Sequence, residues 1–161
     1  MIAPYGFAAP AAIAFGPGVR LQALTAAPSF GTRALVVTGA NAARAAWLVD
    51  GLRAAGMHVH VVSIGHEPLV ADALDAVAAA RACGADVVLG VGGGAALDLA
   101  KAAAGLAREP GDPMDHLEVV GKGLPLTVDP LPLIAIPTTA GTGAEATRNA
   151  VLGVPEKGRK V

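Results

Sequence analysis

Two glycine- and threonine-rich turns, with a few charged side chains beside them, are the parts of this sequence whose residue types and spacing suit chemistry. The first is Gly90-Val-Gly-Gly-Gly-Ala95, which joins a strand-like run to a helical one. Consecutive glycines remove the Cβ atoms that would keep a phosphate from backbone N–H groups, and the following helix offers its positive end to an anion. A tight strand-to-helix turn also uses glycine for its backbone angles, but three in a row exceed what one turn needs. Phosphate binding is therefore the reading taken for Gly92, Gly93, Gly94 and Ala95. Gly90, Gly92 and Ala95 satisfy G-x-G-x-x-[GA], with Asp112 about 20 residues on. That literal fingerprint is rejected, because Asp112 sits in a Pro/Gly turn after a helix and not at the end of the next strand. No Lys-Ser/Thr pair follows, so the turn is not a Walker loop.

Asp98 and Lys101 follow the glycines at one-turn spacing, hence on one helix face. Alone they read as a surface ion pair; directly after the glycine turn they become site candidates. The second turn, Pro137-Thr-Thr-Ala-Gly-Thr-Gly143 and then Glu145, sets three hydroxyls and exposed amides at another strand's end. It also has the form of a Thr-capped helix start, with Glu145 three residues after Thr142 as in a capping box. Both roles are compatible.

Metal and nucleophile chemistry finds less support. One cysteine, Cys83, excludes a disulfide framework or a multi-thiolate metal site, fits a reducing, cytoplasmic setting, and reads as a buried small apolar side chain. Of the four histidines, His58 and His60 alternate on one strand face and read as surface residues. His116 stands beside the capping acids Asp112 and Asp115 as an exposed histidine. His66 lies at a strand end near the presumed cleft. None completes a three-ligand site, and no Ser/His/Asp or Cys/His triad is argued by spacing.

The elements that must position the two turns follow from apolar patterning. Runs at 34–38, 86–90 and 133–137 are nearly continuously apolar, as a strand covered on both faces requires, and 59–63 is a fourth strand. Helical stretches are expected at 43–55, 69–82 with Pro68 at the first position, and 95–107, with a short helix at 114–119 capped by Asp112. The segment 121–132 reads as an extended, proline-rich connection. Strands and helices in alternation with short connections imply a doubly wound, mainly parallel α/β sheet, Rossmann-like, whose ligands bind beyond the carboxyl ends of the strands.

Composition agrees. The 161 residues are 53% hydrophobic and 16% charged, with a net charge of −1. That is one domain with a buried core, neither disordered nor basic enough for a nucleic-acid partner. Mean hydropathy is +0.55, yet no apolar run reaches the roughly 18 residues of a membrane span. The apolar stretch at 1–15 lacks a basic start and carries Pro4 and Pro10, which argues against a signal peptide.

At the two turns the sequence resembles the iron-containing (group III) alcohol dehydrogenase family. The resemblance is carried by Gly92-Gly-Gly-Ala-Ala-Leu-Asp-Leu-Ala-Lys101 and Ile136-Pro-Thr-Thr-Ala-Gly-Thr-Gly-Ala-Glu145. Phe15-Gly-Pro-Gly18, Gly111-Asp-Pro-Met-Asp-His-Leu-Glu118 and Thr147-Arg-Asn-Ala-Val151 extend it over nearly the whole chain. The resemblance implies an N-terminal NAD(P)-binding α/β domain, and an all-helical second domain holding Fe2+ or Zn2+ through one Asp and three His. The expected reaction is reversible oxidation of a small alcohol, or reduction of an aldehyde. The whole sequence, 1–161, would be the cofactor half, inactive alone, with the helical domain absent. Homodimers through the N-terminal region are common in the family.

By position, Gly92, Gly93, Gly94 and Ala95 would hold the diphosphate, and Thr138, Thr139 and Thr142 would line the adenine and nicotinamide-ribose side. Asp98 would sit near the nicotinamide ribose, Val151 against the ring system, Lys160 at a ribose hydroxyl and Glu67 against the cofactor. Ala95 stands where the family usually has Ser. Gly39 replaces an Asp that in NAD-preferring members bonds the ribose 2′-OH, so NADP is expected to be accepted, even preferred over NAD, with Asn41 or Arg44 against its 2′-phosphate. Two alternatives stand beside this reading. One is a non-catalytic dinucleotide-binding remnant or assembly module. The other is a relative of glycerol dehydrogenase or dehydroquinate synthase, which the Thr-rich turn disfavours.

Overall fold

The computed structural model describes residues 9–161; of the N-terminal apolar stretch, residues 1–8 lie outside the described residues. Four parallel strands, β1 (Arg33–Gly39), β2 (His58–Ile64), β3 (Val87–Gly92) and β4 (Leu133–Pro137), form one sheet in the order β2-β1-β3-β4. Register pairs Val36 with Val61 on one side and with Leu89 on the other. The sheet is doubly wound. Helix α1 (Ala23–Ala26) and helix α2 (Ala46–Ala54) cover one face over Ala34, Val36, Val87, Leu89 and Val91. Helices α3 (Val70–Cys83) and α4 (Gly94–Leu106) cover the other, over Leu35, Val37 and Val88. Both faces of β1 and β3 are therefore core, which is why their sequences are unbroken apolar runs. The chain runs from β1 outward to β2, then crosses to β3 on the far side of β1. The carboxyl ends of β1 and β3 thus flank the topological switch point, where open α/β sheets bind ligands.

Local chemistry sets the boundaries, with small shifts from expectation. Helix α2 is entered through a 3-10 turn, Ala42–Ala45, because the Asn41 side chain accepts from the Ala43 N–H at 3.2 Å. Helix α3 starts at Val70, not with Pro68 at its first position. The Leu69 N–H donates to the Asp72 carboxylate at 2.7 Å, while the Pro68 carbonyl accepts from the Gly153 N–H at 2.7 Å. It ends at Gly84, whose φ of 60° is the left-handed stop. Asp112 caps a 3-10 turn, Pro113–His116, in place of the helix expected at 114–119. No helix follows Thr142, so the expected capping box with Glu145 does not form. The last 15 residues include a hairpin of β5 (Gly153–Val154) and β6 (Arg159–Lys160), antiparallel to each other.

The extended segment at 121–132 is fastened by one buried carboxylate. Glu109, 3% exposed, accepts from the Thr127 N–H at 2.6 Å, the Thr127 hydroxyl at 2.8 Å and the Val128 N–H at 3.0 Å. His116 is not the exposed residue expected: its side chain is buried, with Nε2 3.6 Å from the same carboxylate. The Val128 N–H first, and then the Thr127 donors and His116, hold the Glu109 carboxyl below its usual range, against burial that would raise it. A carboxylate with a lowered folded value stabilises above its unfolded pKa and loses that contribution as pH falls through the folded one. Urea unfolding across pH should show the wild-type midpoint falling on acidification below about pH 4.3. Glu109→Gln should lower the midpoint at neutral pH and flatten this acid slope; an unchanged slope would exclude Glu109 as its source.

Candidate functional site

Glycine lets α4 lie unusually close to β3. A Cβ on Gly90 would come within 2.9 Å of the Ala100 Cβ, and one on Gly92 within 2.7 Å of the Ala96 Cβ. These two glycines face the helix and set the height at which its first turn meets the sheet rim. Gly92 is buried, its carbonyl accepts from the Thr138 N–H at 2.9 Å, and its absent Cβ would lie 3.4 Å from the Gly39 N. Gly92 therefore joins the expected anion turn as a packing residue, not as part of an open wall.

Gly93, Gly94 and Ala95 are partly exposed. Gly93 is the extended residue before α4, and its carbonyl accepts from the Leu97 N–H at 3.1 Å. In the first turn, the amides of Gly94, Ala95 and Ala96 precede any intrahelical acceptor; Gly94 and Ala95 line the rim, while Ala96 is buried. A Cβ on Gly93 would stand 3.1 Å from the Thr139 hydroxyl oxygen, and one on Gly94 3.4 Å from the Thr142 methyl. The two turns face each other as the sequence suggested.

Between them lies a cleft of about 410 Å³, lined by Glu67, Pro68, Gly94, Ala95, Asp98, Thr142, Ala144 and Val151. Six of the residues expected at a cofactor meet there: Glu67, Gly94, Ala95, Asp98, Thr142 and Val151. Lys160 pairs with Glu67, which brings β6 to the same rim. Gly39 ends β1 beside the buried Gly92, with open space where its Cβ would be, and Asn41 is exposed just beyond it. Thr138 and Thr139 are exposed on the second turn outside the cleft lining. Free amides, threonine hydroxyls and acceptor carboxylates in one cleft can bind an anion flanked by hydroxylated groups.

Asp98 and Lys101 are not the surface ion pair expected of them in isolation. They meet at 2.8 Å with side chains only 14% and 7% exposed. Lys101 also donates to the Thr147 hydroxyl at 3.1 Å and to the Asn149 carbonyl at 2.6 Å. The sequence signal for this was its place on the apolar stripe of α4 with Leu97 and Ala104. Pro68 and Ala144 as cleft residues had no signal of their own, since each is apolar and set by the fold. Glu145 carries a buried Oε2 with no hydrogen-bond partner.

The histidines form no metal centre: among the described residues, no group of three or more His, Cys, Asp or Glu could hold a metal ion. His58 and His60 are exposed on the edge strand, as expected. With Arg53, Met57, Val59 and Cys83 they line a hollow of similar volume at the amino ends of the strands, away from the glycine turn. Cys83 is half-buried there, not fully so, and burial pushes its thiol pKa up. His66 lies 3.6 Å from Asp72 and outside the cleft lining. No helix among the described residues is long and apolar enough to cross a membrane.

The family model for iron-containing alcohol dehydrogenases matches residues 10–161. Long-chain-alcohol dehydrogenase 1 of Geobacillus thermodenitrificans is 47% identical over 104 residues, 64% of this chain and 26% of that protein. Among solved structures, NADH-dependent butanol dehydrogenase A from Thermotoga maritima superposes with a TM-score of 0.82 at 27% identity, covering 98% of this chain and 40% of that one. Sulfoacetaldehyde reductase from Bifidobacterium kashiwanohense, solved in complex with NAD+, gives 0.78 at 27% identity, covering 98% and 42%. The chain thus spans about a quarter of that curated relative and about two fifths of these solved chains.

The packing and lining roles of neighbouring glycines separate experimentally. Gly92→Ala should lower stability by about 1–3 kcal/mol through overpacking against Ala96. Gly94→Ala, whose new methyl meets only ordinary contacts, should stay within about 1 kcal/mol of wild type. Denaturant titration of the two variants checks this, and equal losses would contradict the division.

Proposed function

The chain belongs to the iron-containing alcohol dehydrogenase family, and we propose that residues 1–161 are the NAD(P)-binding half of an alcohol dehydrogenase or aldehyde reductase. The observation that carries the proposal is the cleft in which the first turn of α4 faces the threonine turn, with Asp98 and Glu67 at its sides. In this reading the amides of Gly94 and Ala95 receive the diphosphate, where helix dipole and free donors favour negative charge. Thr139 and Thr142 donate hydroxyls to the same group or to the ribose beside it. Asp98 and Glu67 accept from ribose hydroxyls, Lys160 holds a further hydroxyl at the rim, and Val151 presents an apolar surface to a ring. Ala95, in place of the family's usual Ser, keeps the amide and gives up one hydroxyl contact, worth about 1 kcal/mol.

When bound, the dinucleotide supplies a hydride acceptor or donor at its nicotinamide ring. The chain's own part is to hold that ring in one orientation and keep its charged tail fixed at the sheet rim. The described residues fit the dinucleotide but not the iron, since no group of three or more metal-ligating side chains comes together among them. On this reading the metal and the alcohol site belong to another part of the complete enzyme. Residues 1–161 alone bind the cofactor weakly and turn over nothing.

Gly39 sets the cofactor preference. A carboxylate at that strand end would accept from a 2′-hydroxyl and repel a 2′-phosphate, whereas glycine leaves the space open beside the exposed Asn41 and Arg44. NADPH should therefore bind at least as tightly as NADH. Fluorescence titration with both cofactors is the test, and NADH tighter by about tenfold, about 1.4 kcal/mol, would overturn the preference. In the same assay Gly39→Asp should weaken NADPH by about tenfold and leave NADH as tight or tighter, through the added bond to its 2′-hydroxyl.

A further inference from the structure

Helix α4 carries a buried lysine that the proposed cofactor contacts leave unexplained. Lys101 keeps its ammonium group inside the protein. It pairs with the Asp98 Oδ1 at 2.8 Å and donates to the Thr147 hydroxyl at 3.1 Å and the Asn149 carbonyl at 2.6 Å. Asp98 lines the cleft. The other two belong to the segment that carries Val151 to the cleft wall. With its side chain 7% exposed, Lys101 stands behind the cleft and outside its lining.

Burying a charge in this way is unfavourable unless the charge is paired and hydrogen-bonded, so the arrangement depends on all three partners being in place. It joins two surfaces distant in sequence, the first turns of α4 and the strand-free segment at 144–151, which has no sheet pairing of its own until Gly153. It also orients the Asp98 carboxylate, whose Oδ1 faces the ammonium and whose remaining lone pairs can accept from a ligand hydroxyl.

We propose that Lys101 is a positioning residue for the nicotinamide-ribose half of the dinucleotide, holding Asp98 and the Thr147–Asn149 wall in register without touching the cofactor. This rests on the NAD(P)-binding reading above. The adenosine diphosphate half does not depend on it, because its anchors are the backbone amides of the glycine turn. The role therefore divides the ligand in two, which a general loosening of the fold would not do.

The test compares NADH with ADP on the full chain by calorimetric or fluorescence titration. Wild type should bind both. Lys101→Met, which keeps the stem and removes the charge, should weaken NADH by about tenfold or more. It should leave ADP within about twofold, as expected for a site that shares no partner with it. Thr147→Val, a milder change that keeps the lysine, should weaken NADH by about threefold with ADP again unchanged; it carries the test if the methionine variant does not fold. The Asp98→Asn and Lys101→Met losses on NADH should be less than additive, since both remove one arrangement. Parallel weakening of NADH and ADP, or NADH binding unchanged in both variants, would overturn the positioning role. Wild type binding neither ligand would instead overturn the NAD(P)-binding reading and the role that rests on it.

Discussion

The close approach of one helix to one strand is the constraint on which the rest depends. Without Cβ atoms at Gly90 and Gly92, Ala96 and Ala100 press directly on β3, and α4 begins at the rim of the sheet and not above it. That height puts the unpaired amides of its first turn beside the carboxyl end of β1, at the one place where the strand order reverses. A helix end is a common feature and by itself selects nothing. Here it is selective because the threonine turn after β4, the Pro68–Leu69 corner and the 144–151 segment close the space around it into a cleft.

The sheet, its three main helices and the opposition of the two turns were legible in the sequence. Unbroken apolar runs can be satisfied only by strands covered on both faces, and small residues on α4 announce close packing. What escaped was set by tertiary partners. Pro68 looked like a helix start but gives its carbonyl to Gly153, 85 residues away in sequence, and the cap falls to Leu69 and Asp72. Thr142 and Glu145 had the spacing of a capping box, but that pattern needs a helix to cap, and the chain there turns back to meet Lys101. His116 read as a surface residue because nothing local shows that Glu109 will be buried under Thr127.

The glycine turn shows how one motif can serve two ends. Read as a string, its glycines are equivalent; in the fold the helix-facing Gly92 is consumed by packing, and the rim-facing Gly93 and Gly94 remain to line a surface. The alternation of strand residues between faces makes the division, and it explains why the run is longer than a turn alone requires. Lys101 has the same character one turn further along. Its spacing from Asp98 suggested a surface pair, but its place on the apolar stripe buries it, and burial converts an ion pair into a fixed support for the cleft wall.

The proposed function rests on backbone amides at the start of α4 receiving a dinucleotide diphosphate. Amide-resolved NMR of the isotopically labelled chain, titrated with ADP-ribose, measures this at the atoms concerned. The largest and saturable shifts should fall on the N–H signals of Gly94 and Ala95, with those of Thr139 and Thr142 following. Shifts confined to the hollow around Arg53 and His58, or none that saturate at the α4 turn, would contradict it.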